Sequence, residues 1–251
     1  MKKIKDYRNI CQKQYIENEK EFGVKLMLRH VSIYFSIFFI YFKFKPNTVT
    51  ILSILLGFLS SFQYYNGEFL IGSTLLLIAI ILDFSDGEVS RYFKSGSLEG
   101  EYLDLILHWI LHPIILASLT LYVLKFENFN FIFLIFGFSA VIGSIIISLV
   151  RTYAKYIVLY LNISKLKTNN DSLSFSNNSN NSLKNIISKI FTFYDFPYIM
   201  LIAIIASLIE QFSSLNSIFY LICFLGITFP IVIIFFIYLN VKNKRITNFN
   251  N

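Results

Sequence analysis

The chain has 251 residues, of which 55% are hydrophobic and only 15% charged, with a mean hydropathy of +0.61. That composition excludes an ordinary soluble domain and predicts an all-α, polytopic integral membrane protein. The net charge of +7 reads as membrane topology and an anionic ligand, not as nucleic-acid binding, because no Lys/Arg-rich soluble module with interleaved base-stacking aromatics occurs.

Residues 1–45 form a polar N-terminal segment of mixed charge that carries a short apolar run from Val31 to Phe42. At about twelve residues the run is too short to cross a bilayer and predicts an amphipathic helix lying in the interface. No apolar core follows the basic start within thirty residues, which argues against a cleavable signal peptide. Pro46 then opens the first of six predicted spans in a transmembrane domain over 46–240. The spans fall at roughly 48–66, 69–90, 98–124, 131–157, 196–212 and 216–239. Pro costs little in a first helical turn, and Asn66-Gly67 marks a tight turn. An Asn/Ser-rich loop is predicted over 162–190, with several Asn-x-Ser triplets that read as chance in a biased stretch, and a tail over 241–251. Cys11 and Cys223 lie far apart and suggest neither a disulfide framework nor a zinc site.

Six spans put both termini on one side, together with 21 of the 22 Lys and Arg; only Lys125 falls opposite. By the positive-inside rule that side is cytoplasmic.

The stretch 83–108 falls on the same side and carries the chemistry. Asp83, Asp86 and Gly87 share one helical face at i, i+3 and i+4, and Asp104 and His108 share another at i and i+4. Acidic groups near bilayer depth are kept where they pair, bind ions or react. Taken alone, Asp86 or Glu88 reads equally as a charged helix end paired with local Arg and Lys. Taken together, the carboxylates suit hard oxygen-preferring cations, Mg²⁺ or Mn²⁺, and two such ions would clamp a pyrophosphate. Gly87 and Ser90 leave room for a nucleotide against the helix, and Arg91 could add a bidentate phosphate contact.

These residues resemble the signature of the CDP-alcohol phosphotransferases, D-x2-D-G-x2-A-R-x8-9-G-x3-D-x3-D. Asp83, Asp86, Gly87, Arg91, Gly100 and Asp104 fit it in spacing. Pro46-Asn47-x-x-Thr50 is similar to the family's entry to its first membrane helix, and Ser97-x-x-Gly100-x-x-Leu103-Asp104 to the start of its third. The resemblance implies transfer of a substituted phosphate from a CDP-alcohol, usually CDP-diacylglycerol, to a polar alcohol acceptor, with release of CMP. It implies Asp83, Asp86 and Asp104 as metal ligands and a nucleotide site of Asn47, Thr50, Asp83, Gly87, Ser90, Arg91 and Gly100. It also implies a homodimer in the lipid bilayer. Arg151 and Lys155, one turn apart, are candidates for an acceptor phosphate or equally for snorkelling anchors; Arg29, Ser32 and Tyr153 are weaker candidates.

Two positions depart from the pattern. Ser90 replaces Ala, and His108 stands where the family places its fourth Asp, assigned there as metal ligand and general base. With Asp104, His108 is the candidate catalytic pair, since a neutral imidazole can act as a base near pH 7. The substitution leaves open an altered acceptor or metal stoichiometry, a relative with little activity, or a CDP-polyol donor. His112, one turn on, reads as an ordinary polar helix residue. A six-span transporter would be expected to show inverted repeats and broken helices at mid-membrane, whereas no repeat is seen and the acids lie at one face.

Overall fold

The apolar runs fold into helices, and no strand occurs among the residues that the computed structural model describes, 4–13, 24–126, 131–167, 194, 196–213 and 215–242. In chain order these are α1 (Ile4–Cys11), α2 (Val24–Tyr41), α3 (Pro46–Tyr65), α4 (Phe69–Phe93), α5 (Leu98–Phe126), α6 (Phe131–Lys167), α7 (Phe196–Phe212) and α8 (Ser217–Lys242). Five of them, α3, α4, α5, α6 and α8, are long and apolar enough to cross a membrane. With 17 residues, α7 is a shorter apolar helix at the position of the fifth predicted span.

Boundaries differ from the sequence reading where local signals are weak. Among the described residues the N-terminal segment holds two helices, and α2 starts at Val24, seven residues before the apolar run, because nothing between Val24 and Val31 breaks a helix. Its apolar part is Met27–Tyr41. Helix α6 continues to Lys167, past the expected loop start at 162, since no Gly or Pro interrupts it there. The rest of the predicted Asn/Ser-rich loop and most of the predicted tail lie outside the described residues.

Pro46 does occupy the first turn of α3. Helix α2 ends at a left-handed residue, Lys43 with φ 57°, and α4 at Lys94 with φ 52°. At the second of these the Lys94 and Ser95 N–H groups bond back to Arg91 and Ser90 carbonyls, which closes α4 within one turn. A short connection then returns the chain into α5, so the end of α4 and the start of α5 lie together.

Helix α3 packs on both α4 and α5, α2 and α1 cover α4, and α6, α7 and α8 form the other side. The core runs through Leu76, Ile80, Leu107, Leu111, Ile115, Leu119, Ile199, Met200 and Phe229, each at most 1% exposed. Outward-facing side chains such as Leu55, Phe62, Phe138, Ile231 and Ile234 are exposed, as befits surfaces that meet lipid.

Glycines set the closest helix crossings, as is usual where helices associate within lipid. A Cβ on Gly57 would lie 2.5 Å from Leu111, and one on Gly143 2.5 Å from Phe229 Cβ. Gly226 is the least forgiving case, because its missing Cβ would collide with the Phe136 backbone carbonyl of α6. Backbone cannot rotate away as a side-chain tip can. Gly226→Ala is therefore expected to part α6 from α8 at a cost of about 3 kcal/mol, seen as a lower melting temperature in detergent. An unchanged melting temperature would mean that α6 and α8 are not held at this crossing.

Candidate functional site

The short turn between α4 and α5 brings two acidic helix faces to one cavity of about 660 Å³, within the roughly 300–1,000 Å³ typical of ligand sites. Asp83, Asp86, Gly87, Ser90 and Arg91 line it from α4, Asn47 and Thr50 from α3, Gly100, Glu101 and Asp104 from α5, and Arg29 from α2.

Three donor atoms converge at its edge. One oxygen each of Asp83 and Asp104 and a ring nitrogen of His108 lie within 4.8 Å of one another. His108 Nε2 is 3.4 Å from Asp104 Oδ1, one turn away on α5, and 3.9 Å from Asp83 Oδ1 on α4. Asp83 Oδ1 is buried and accepts no hydrogen bond from the described residues. A buried carboxylate oxygen without a donor is costly, and the cost is relieved where a cation sits beside it. The donor set, two carboxylates and an imidazole, fits a divalent ion of the first transition row at least as well as Mg²⁺.

Asp86 stands apart from that trio. Its Oδ2 accepts a 2.5 Å hydrogen bond from Thr50 Oγ1, which fixes the carboxylate against α3. The glycines have distinct local reasons. Arg91 leans back one turn over Gly87, where a Cβ would sit 3.3 Å from its Nη1. Gly100 lets α5 start against α3, since a Cβ there would lie 3.1 Å from Asn47 Oδ1. Ser97 Oγ accepts from the Gly100 N–H at 3.1 Å and so caps this helix start.

The cavity thus gathers Asn47, Thr50, Asp83, Asp86, Gly87, Ser90, Arg91, Gly100 and Asp104 in one place, with His108 beside Asp83 and Asp104. Arg151 and Lys155 lie on α6 at i and i+4; their side chains fall outside the described residues. Buried His112 has its ring 6.1 Å from that of Phe229, in the core between α5 and α8.

Sequence reasoning missed one constellation. Glu88 is not part of a charged helix end paired with Arg and Lys. It is fully buried and accepts from Gln12, Ser32 and Ser36. Those partners lie 76, 56 and 52 residues away, and no spacing rule links them.

Similarity to known proteins agrees with this geometry. Residues 43–227 match the CDP-alcohol phosphatidyltransferase family. A 106-residue stretch is 33% identical to the bifunctional IPC transferase and DIPP synthase of Aquifex aeolicus (strain VF5), covering 42% of this chain; the chain spans about a quarter, 24%, of that curated relative. The fold is similar to the crystal structure of Mycobacterium tuberculosis phosphatidylinositol phosphate synthase with CDP-DAG bound. The TM-score is 0.58 at 15% identity, over 82% of this chain and 90% of that one. The family match spans α3 to the middle of α8 and includes every cavity residue of α3, α4 and α5. On that ground the chain belongs to the CDP-alcohol phosphatidyltransferase family.

Proposed function

We propose that the protein moves a substituted phosphate from a CDP-linked alcohol, with CDP-diacylglycerol as donor, to the hydroxyl of an alcohol or phosphorylated polyol, releasing CMP. The observation that carries this reading is the convergence of Asp83, Asp104 and His108 at a cavity whose walls hold Asn47, Thr50, Gly87, Arg91 and Gly100. The donor class is supported by the Mycobacterium tuberculosis synthase, whose crystal structure carries CDP-DAG.

Mg²⁺ or Mn²⁺, as a pair, would be held by Asp83, Asp104 and His108 with Asp86 alongside, and when bound supplies the positive charge that offsets pyrophosphate and carboxylates together. The chain's own residues do the rest. Gly87, Ser90 and Gly100 keep the wall low enough for the nucleotide, and Arg91 meets its phosphates. Thr50 holds Asp86 in one orientation. Asp104 is the most exposed of the converging groups, its side chain at 47% against 27% for His108 and 11% for Asp83. It therefore faces the incoming acceptor and takes the hydroxyl proton, with His108 beside it to share that proton. The acceptor oxygen bonds to the phosphorus that carries the lipid, and the bond from that phosphorus to the CMP oxygen breaks.

The remaining expectations concern placement. With α7 as the fifth of six spans, nearly all Lys and Arg fall on one side, which supports a cytoplasmic site and cytoplasmic termini with α2 along the interface. Arg151 and Lys155 would hold an acceptor phosphate, and the assembly would be a homodimer.

Purified protein with Mn²⁺ or Mg²⁺, CDP-diacylglycerol and a panel of neutral and phosphorylated polyols should release CMP with one acceptor class. No release with any acceptor, and none when CDP-polyols replace the lipid donor, would overturn the reading. Thr50→Val, which keeps the shape and removes the hydroxyl, should lower kcat/KM by about tenfold to a hundredfold. Its melting temperature should stay near wild type, and an unaffected kcat/KM would remove Asp86 orientation from the account.

A further inference from the structure

Three helices meet on one buried carboxylate. Glu88, on α4 but facing away from the acidic trio, accepts from Ser32 Oγ at 2.7 Å and Gln12 Nε2 at 2.8 Å on Oε1, and from Ser36 Oγ at 2.6 Å on Oε2. A carboxylate with no exposure is kept where donors satisfy it, and here both oxygens are served from residues of α2 and of the turn that ends α1. Gln12 Nε2 also donates to the Arg29 carbonyl at 2.7 Å, so the same amide ties the ends of two segments together.

The network reaches the cavity by two routes. Cys11, the residue before Gln12, offers its carbonyl to Arg91 Nε at 2.6 Å. With Nε so engaged, the Nη end of Arg91 lies over Gly87 on the cavity wall. Stacking of Tyr7 on Tyr92, centroids 5.6 Å apart, fixes the same junction. On the second route, Arg29 lines the cavity and is 93% buried, with its guanidinium carbon 5.2 Å from the Phe84 ring centroid. Its backbone is held by Gln12 and by Ser32 Oγ, a 3.3 Å bond to the Arg29 carbonyl. Both cavity arginines are thus placed by contacts that converge on Glu88.

We propose that Glu88 and Gln12 are positioning residues that dock the N-terminal helix on α4 and thereby set Arg29 and Arg91 as the anion-facing wall of the cavity. The ligand named here, a CDP pyrophosphate, rests on the function proposed above. Pulling Gln12 from Glu88 would shift the Cys11 carbonyl and release Arg91 without touching any metal-ligating atom.

The test uses the full-length protein in a Cys223→Ser background and two readouts, CDP affinity with Mn²⁺ by calorimetry and the rate of Cys11 alkylation by a maleimide. Cys11 is 1% exposed, so its alkylation reports undocking. Glu88→Ala and Gln12→Ala should each weaken CDP by about tenfold or more and speed alkylation, and Glu88→Gln should restore part of both. Glu88→Ala added to an Arg29→Ala/Arg91→Ala double variant should weaken CDP little further, since Glu88 acts through those two guanidinium groups. Should Glu88→Ala fail to fold, Gln12→Ala carries the same comparison. Faster alkylation with unchanged CDP affinity, or full additivity with the Arg29→Ala/Arg91→Ala double variant, overturns the proposal. If the wild-type protein takes up no CDP, the functional reading fails; alkylation then decides the docking by itself, an unchanged rate in Glu88→Ala overturning it and a faster rate sustaining it.

Discussion

Asp83→Asn is expected to lower CMP release by about a hundredfold or more while leaving the protein as stable as wild type or slightly more so. The side chain keeps its shape, so the packing of α4 survives. What is lost is the capacity for negative charge on a buried oxygen that no described hydrogen-bond donor satisfies. In the absence of a cation such a charge is held away from water, a cost to the folded state that the His108 ring, 3.9 Å away, offsets only in part. Activity and stability should therefore move in opposite directions, the pattern of a group retained for function at a cost to the fold. The check pairs a CMP-release assay with thermal unfolding in detergent without added metal. Turnover within twofold of wild type would remove Asp83 from the chemistry.

His108 gives the second large effect, and two substitutions divide its roles. His108→Ala removes both a donor atom and a proton carrier from beside Asp104 and Asp83, and turnover is expected to fall by about 10²- to 10⁴-fold. His108→Asp returns a carboxylate to the same turn of α5, the residue type that the family signature carries there. Because an oxygen donor favours Mg²⁺ and an imidazole favours transition ions, this variant should keep activity within about tenfold of wild type and move its metal preference from Mn²⁺ towards Mg²⁺. Metal titrations of CMP release, set beside direct binding of each ion by calorimetry, distinguish the cases. Equal loss in both variants, with ion preference unchanged, would show that His108 acts as a proton carrier and not as a ligand.

Much of this site was legible in the sequence because its residues sit within 26 positions and obey helical spacing. Asp83 with Gly87, and Asp104 with His108, had to share faces once both stretches were helices, and Ser95-Gly96-Ser97 left only a short turn between them. Asn47, Thr50 and Gly100 were legible through the family signature and not through physics alone. Glu88 was not legible. A carboxylate beside Gly87 and Arg91 carries the local signature of a solvated helix end, and the donors that bury it come from α2 and the turn after α1. Helix ends were read less well than helix middles, as α2 and α6 show, because hydropathy marks where a chain meets lipid and says little about where the backbone stops turning.

The Glu88 network also bears on the order in which the protein is made. Gln12, Ser32 and Ser36 all precede Glu88 in the chain, and N-terminal parts of a protein leave the ribosome first. These three donors to the buried carboxylate have therefore been synthesised before α4 emerges, so a partner set is at hand when the acid must leave water. Asp104 and His108 come later, on α5, and they complete the cluster from a helix joined to α4 by a few residues. Among the described residues the cavity lining is drawn from chain up to Asp104, so synthesis supplies these walls before α6, α7 and α8 arrive to enclose the other side of the core.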